Sequence, residues 1–359
     1  MKALNLASVL LQKNHINTLT VYWIKQQKNY AYRKLYTNVS EFSIIQQYFQ
    51  QPPRSDNVLL GSGDDCALLH IPQHQQLAVS MDTLVSGVHF PTTTSPADIA
   101  YKAVAINVSD LAAMGAKPAW LTMSLTLPLI DHSWLQAFST SLMAALEQFN
   151  LQLIGGDLSQ GPLSITAQAH GLLANNTSLL RSAAQVDDRI YVTGTLGDAG
   201  LGLACSEKKI SLTVDDEQFV LQRLHRPTPR VETGLAIVNF AHAAIDISDG
   251  FIQDLQHILT ASQIGATIFI EDIPLSAPLI RHTNQQQAWQ YALTAGDDYE
   301  LCFTVPPTKQ STLENILSQL NCPYTCIGHI TQQQRLQILH KDGSPYKNNL
   351  KGFEHFREN

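Results

Sequence analysis

The sequence has 359 residues, 44% hydrophobic and 15% charged, with 23 Lys+Arg against 30 Asp+Glu and a formal net charge of -7. That length predicts two domains sharing a cleft, and the acidic balance without a basic stripe excludes a nucleic-acid binder. No apolar run is long enough to span a membrane, and the first twelve residues lack a small-residue cleavage site, so neither a membrane anchor nor a secretory leader is expected.

Residues 1–40 are polar, rich in Gln, Asn, Lys and Tyr, and read as an extension outside the catalytic fold. Residues 41–49 (EFSIIQQYF) are the first with helical apolar spacing. Beyond them, short apolar strands alternate with longer helical stretches, the pattern of an α/β or α+β fold. In chain order the sequence predicts strand 77–80, helix 97–114, strand 121–127, helix 133–149, and strands 151–154, 163–169 and 189–193. Helix 229–243 follows, with Pro229 in a first turn that does not need its missing N–H, then strand 244–247, helix 250–262, and strands 266–270 and 301–305. The polar stretch ANNTS (174–178) is the best boundary, which divides the chain into 1–40, 41–176 and 177–359. Cys66, Cys205, Cys302, Cys322 and Cys326 form no CxxC pair and read as reduced thiols of a cytoplasmic protein.

Acidic residues recur where predicted strands run into Gly- or Ser-containing turns. Strand 77–80 leads to Asp82, strand 151–154 to Gly155-Gly156-Asp157, and strand 244–247 contains Asp246 and ends in Ser248-Asp249-Gly250. Asp64 and Asp65 sit on a Gly-Ser-Gly loop, and Asp110 falls in a helical segment. Ligands of open α/β sheets bind beyond the carboxyl ends of strands, so these positions point to one cleft. A lone Asp-Gly is more often a turn or a cap; five such sites together shift that balance. There is no P-loop, no protein-kinase motif set and no dinucleotide fingerprint. Carboxylates without basic partners repel one another unless cations stand among them, which points to a polyphosphate held through several Mg²⁺ ions. Calcium is the second choice, unsupported by any EF-hand spacing.

Six motifs occur in order: GSGDDCALL (61–69), SMDTLVSGVHF (80–90), NVSDLAAMGAKP (107–118), GGD (155–157), AIDISDG (244–250) and AGDDYELCFT (295–304). The set resembles the thiamine-monophosphate kinase family, in the superfamily of aminoimidazole ribonucleotide synthetase and selenophosphate synthetase, from residue 41 to about residue 356. The resemblance implies a two-domain α/β fold of the aminoimidazole ribonucleotide synthetase type. Its N-terminal domain would form a homodimer through its sheet, and its C-terminal domain would cover the nucleotide. It implies ATP and thiamine monophosphate as substrates, and Asp65, Ser80, Met81, Asp82, Asp110, Asp157, Asp246 and Asp249 around the metals. Gly156, Asp157, Arg181 and Ser248 would contact ATP, and His89, Asp297 and Leu350 the thiamine substrate. Competing readings exist: a packed turn histidine for His89, a surface ion pair for Arg181, a helix cap for Ser248. Asp254 and His257 read as solvated or structural, and Asp187, Asp188 and Asp198 are not added.

Four positions depart from the family pattern: Met81 replaces a Thr, Asp297 a Glu, Leu158-Ser159-Gln160 a Thr-Thr-Arg run, and Leu350 an aromatic. They bear on substrate affinity more than on metal binding. The implied reaction is direct transfer without a phosphoenzyme. The alternatives are another ATP-dependent enzyme of the superfamily, or a binding dimer that has lost turnover.

Overall fold

The computed structural model describes residues 40–51 and 54–346; the expected N-terminal extension and Leu350 lie outside the described residues. The chain divides into a unit ending at Phe49 and one beginning at Gln50. In the first, α1 (Glu41–Ile44) starts at Ser40, whose hydroxyl accepts the Ser43 N–H at 3.2 Å, and widens into a π-helical turn over Ile45–Phe49.

The second unit opens with the short pair β1 (Val58–Leu60) and β2 (Leu68–Leu69). There follow β3 (Gln75–Val85), α2 (Pro96–Ala113), β4 (Lys117–Leu127), α3 (His132–Gln148), β5 (Gln152–Gln160) and β6 (Ser164–Ala174). These strands form a four-stranded sheet in the order β3-β6-β4-β5, antiparallel except for β4 beside β5. Helix α2 lies against β3 and β6 and alongside α3, so one face of this sheet is covered. Alternation within the strands separates the faces: Ile165, Ala167 and Ala169 are buried under the helices, while Thr166 and Gln168 turn to the open side.

Helix α2 begins where Ser95 accepts the Asp98 N–H at 3.1 Å and Pro96 occupies the first turn. It ends where Gly115 takes φ 69° and Ala116 N–H returns to the Leu111 carbonyl at 2.8 Å.

After the turn at 174–178 come β7 (Arg189–Thr193), α4 (Asp198–Ser206), α5 (Val214–His225), α6 (Val231–Ile237), β8 (Ala243–Asp246) and α7 (Phe251–Ser262). The chain continues through β9 (Gly265–Phe269), α8 (Ala277–His282), α9 (Gln285–Thr294), β10 (Leu301–Val305), α10 (Gln310–Leu317), β11 (Tyr324–Thr331) and β12 (Leu336–Leu339). The second sheet runs β12-β9-β11-β7-β10-β8, with β12 parallel to β9 and the other pairs antiparallel. Its core is built from Ile190, Val192, Ile245, Phe251, Leu255 and Ile268, among others.

Three sequence expectations shift. Strand 77–80 is the middle of an eleven-residue strand, and strand 151–154 continues to Gln160. Asp82 and Asp157 therefore lie within strands rather than at their exits, because ladder pairing continues through residues whose composition resembles a turn. Helix 229–243 shortens to Val231–Ile237, and Pro229 precedes the cap: Arg230 leaves helical geometry (ψ 51°) where its guanidinium reaches Glu300.

Helices α2 and α6 approach so closely that a Cβ on Gly234 would meet the Ala112 carbonyl oxygen at 2.1 Å. Gly234→Ala is therefore expected to cost about 1–3 kcal/mol, read as a lowered urea midpoint.

Candidate active site

Asp82, His89, Asp110, Asp246, Ser248, Asp249 and Asp297 line one cleft of about 800 Å³. They arrive from four places: the core-facing side of β3 and the loop after it, the last turn of α2, the end of β8 with its following turn, and the loop before β10.

Asp82, Asp110 and Asp246 have raised proton affinities, which Arg181 offsets only in part at Asp110 and Asp246. Burial first, then the Asp110 carboxylate, lifts Asp82 to about 6. Burial also lifts Asp110, against the opposing hydrogen bond from Ser80. Burial holds Asp246 well above the ordinary carboxylate range, although Ser109 donates to it at 2.7 Å. Asp249 sits on the turn into α7, where Asp254 accepts the N–H groups of Ser248 at 3.0 Å and Asp249 at 3.1 Å. Asp254 is thus a buried strut for that turn, lifted to about 7 by burial and then by Asp249. The cap that the sequence suggested for Ser248 does not form: Gly250 is the N-cap of α7, with no side-chain cap bond.

The loop before β10 is fixed from both sides. Asp297 and Tyr299 take φ 69° and 50°, and their N–H groups bond to Ser248 O and Ile247 O at 2.8 Å each. Tyr299 donates its hydroxyl to Asp297 at 3.2 Å, and Lys102 pairs with the same carboxylate at 3.0 Å. His89 closes the loop after β3, its Nδ1 accepting the Val85 N–H at 3.0 Å.

Other expected residues stand outside the lining. Ser80 reaches the site through its bond to Asp110. Arg181 faces the acidic cluster from a 3-10 turn (Arg181–Ala183), close enough to lower the proton affinity of Asp110, Asp246 and Asp254. Asp65 is exposed on the loop after β1, its N–H bonded to Asp64 at 2.8 Å. Met81 and Asp157 turn to the open face of the first sheet: Met81 pairs with Gln168, and Asp157 shares a row with Ser124, Thr166 and Thr83. Asp82 occupies the opposite face, and its row crosses Ala167 and Met123 to reach Gly156, three strands or about 14 Å away. A Cβ on Gly156 would overlap the Met123 carbonyl oxygen, at 1.9 Å. Gln160 is exposed on β5 and donates to the Pro128 carbonyl at 3.3 Å. Asp188 and Asp198, which the sequence reading did not add, are buried and bonded within the fold.

The expectation of carboxylates without basic partners is corrected at one point, Lys102, which lines the cleft. Its position was readable, since 102, 106 and 110 fall on one helical face. His225 also lines the cleft, from a helix the sequence did not signal.

The donor set fits magnesium in chemistry: four carboxylates and a hydroxyl, all hard oxygen, with raised proton affinities at Asp82, Asp110 and Asp246 that a cation would relieve. Among the described residues no group of three or more His, Cys, Asp or Glu is placed to hold a metal ion by itself. That suits an ion taking its remaining ligands from phosphate and water.

The AIR synthase related protein N-terminal domain model matches residues 63–173, and the corresponding C-terminal domain model matches residues 185–341. Thiamine-monophosphate kinase of Salmonella typhimurium is 48% identical over 318 residues, which span 88% of this chain and 98% of the relative. The Haemophilus influenzae thiamine-monophosphate kinase is 47% identical, over 89% and 99%. Among solved structures, thiamine-monophosphate kinase from Stenotrophomonas maltophilia superposes with a TM-score of 0.77 at 42% identity, covering 82% of this chain and 93% of that one. AaThiL complexed with AMPPCP and TMP gives 0.69 at 32% identity, covering 82% and 91%. Across both domains and nearly the whole length of these relatives, the chain belongs to the thiamine-monophosphate kinase family.

Proposed function

We propose that the chain transfers the γ-phosphate of ATP to thiamine monophosphate, giving thiamine diphosphate and ADP. The observation that carries this reading is the convergence of Asp82, Asp110, Asp246 and Asp249 in one cleft with His89 and Asp297. The acceptor's phosphate has a second pKa of about 6. Near neutral pH it is already a nucleophile, and no side chain need remove its proton. Magnesium, when bound, neutralises the phosphates and stabilises the charge of the leaving ADP.

The chain's own residues hold and aim. Asp82, Asp110, Asp246 and Asp249 would hold the ions, with Ser80 and Ser109 fixing two of those carboxylates by hydrogen bonds. Asp65 would join from its loop, and Met81, its side chain turned away, through its backbone carbonyl. Ser248 and Arg181 would meet ATP beside the acidic cluster, and His89 and Asp297 the acceptor. Gly156 and Asp157 complete the proposed ATP set, yet Asp157 faces the other side of the sheet from Asp82. Its participation therefore requires a second copy facing that side, which supports a homodimer through the open sheet face. Leu77, Val79 and Met81 are exposed there, at 42%, 52% and 60%. Five unpaired cysteines and the need for ATP support a cytoplasmic setting.

The test is product identification. ADP and thiamine diphosphate should appear only with ATP, Mg²⁺ and thiamine monophosphate together, and no labelled phosphoprotein should accumulate on the pathway. Tight ligand binding without turnover would defeat the reading in favour of a binding module.

A further inference from the structure

Helix α2 presents Lys102, Ile106 and Asp110 to the cleft at i, i+4 and i+8. Asp110 stands at the carboxylate end of that face and Lys102 about 12 Å of helix away. Lys102 is 3% exposed, and no other Lys or Arg lines the cleft among the described residues. Its ammonium has three donors. Asp297 takes one, at 3.0 Å, and no other described protein group takes the rest. A buried charge with unfilled donors is costly, so a helix that keeps one here gains little from it as packing. His225 lines the same cleft, where burial first, and the nearby charge of Lys102 as well, disfavour its protonated form, and its Nδ1 is buried without a protein partner. Unfilled donors on an ammonium beside an unfilled imidazole nitrogen, in a cleft otherwise rich in carboxylates, are complementary to an anion.

We propose that Lys102, with His225 beside it, binds the phosphate of the acceptor, while Asp297 holds the ammonium in place. Lys102 is then the residue by which the cleft distinguishes a phosphate ester from the parent alcohol. The proposal rests on the reading that the acceptor carries a phosphate.

The test measures binding of thiamine monophosphate and of thiamine by calorimetry, with Mg²⁺ and a non-hydrolysable ATP analogue present, to wild type and Lys102→Met. Wild type should prefer the phosphate ester, and Lys102→Met should lose about tenfold or more of that affinity. Its affinity for thiamine should stay within about twofold, as should KM for ATP. If Lys102 served only to neutralise Asp297, Lys102→Met would weaken thiamine as much as its phosphate ester; the proposal expects the loss in the ester alone. Lys102→Arg, which retains the charge, should recover part of the preference and serves where the methionine variant folds poorly. An unchanged preference in Lys102→Met, or no preference left in Lys102→Arg, in a wild-type background that turns over thiamine monophosphate, overturns this assignment alone. Absence of turnover in wild type would overturn the parent reading instead.

Discussion

Asp110→Asn should lower kcat by at least about 10²-fold while raising the melting temperature of the metal-free protein. Changing groups that merely orient metal ligands already costs about 10–100-fold, and Asp110 is one of the carboxylates proposed to hold the ions. The gain in stability has the same origin as the loss of function. Without metal, Asp82 and Asp110 share a hydrogen bond in a buried place, and Asp82 is lifted to about 6 from an ordinary value of 3.8. The folded state thus binds that proton more tightly than the unfolded chain. The associated stability is fully present below about 4 and is lost as pH rises through about 6. Allowing for solvent screening of a partly exposed group, the change is about 1–2 kcal/mol. Removing the neighbouring charge should flatten this fall, which melting curves between pH 4 and 7 in EDTA would reveal. Added Mg²⁺ should raise the melting temperature of wild type more than that of the variant. Normal turnover in Asp110→Asn would remove this residue from the metal set.

Glu300→Ala should destabilise the fold by about 3–5 kcal/mol, the expected cost of leaving buried charges without their counterpart. Glu300 is fully buried and accepts from Arg223 at 2.8 Å, from Arg230 at 2.6 and 2.5 Å, and from Thr193 at 2.6 Å. Truncation would strand the largely buried guanidinium of Arg230 and leave that of Arg223 to Asp198, at 3.7 Å. Glu300→Gln keeps an acceptor oxygen and should lose less. Burial opposes the charge on Glu300, but the hydrogen bonds and charges of Arg230 and Arg223 outweigh it and hold the carboxyl below its usual 4.5. Its stabilisation is present above 4.5 and fades as pH falls through the lowered value, so both variants should unfold at higher pH during acid titration. Urea midpoints at pH 7 and circular dichroism on acidification read the two effects. A loss below about 1 kcal/mol in Glu300→Ala would show that the network contributes little. Asp298 and Glu300 also anchor the loop carrying Asp297, so activity should fall with stability: Asp298 accepts the Gly197 N–H at 2.7 Å.

Local pattern made many elements legible. Strands Arg189–Thr193 and Leu301–Val305 are mostly apolar and, apart from exposed Arg189, buried on both faces, so their bounds could be read from local composition. Helix α2 was readable from its Ser-Pro start and its glycine stop. The short helices at 198–206, 277–282 and 310–317 escaped, because tertiary packing rather than a long amphipathic period stabilises them.

For the site, the sequence by itself determined the inventory. Acidic residues beside glycines, in six ordered motifs, identified the family and the kind of chemistry before any coordinate. Only the tertiary structure decided which of them meet. Side chains alternate across a strand, so a spacing in the chain does not say which face a residue takes until the sheet is packed. Asp82 turns toward Asp110, whereas Asp157 turns to the open face. Lys102 shows the same limit from the other side: spacing places it on the helical face of Asp110 but does not say what that face meets. Helix α2, laid beside the loop before β10, sets its ammonium against Asp297.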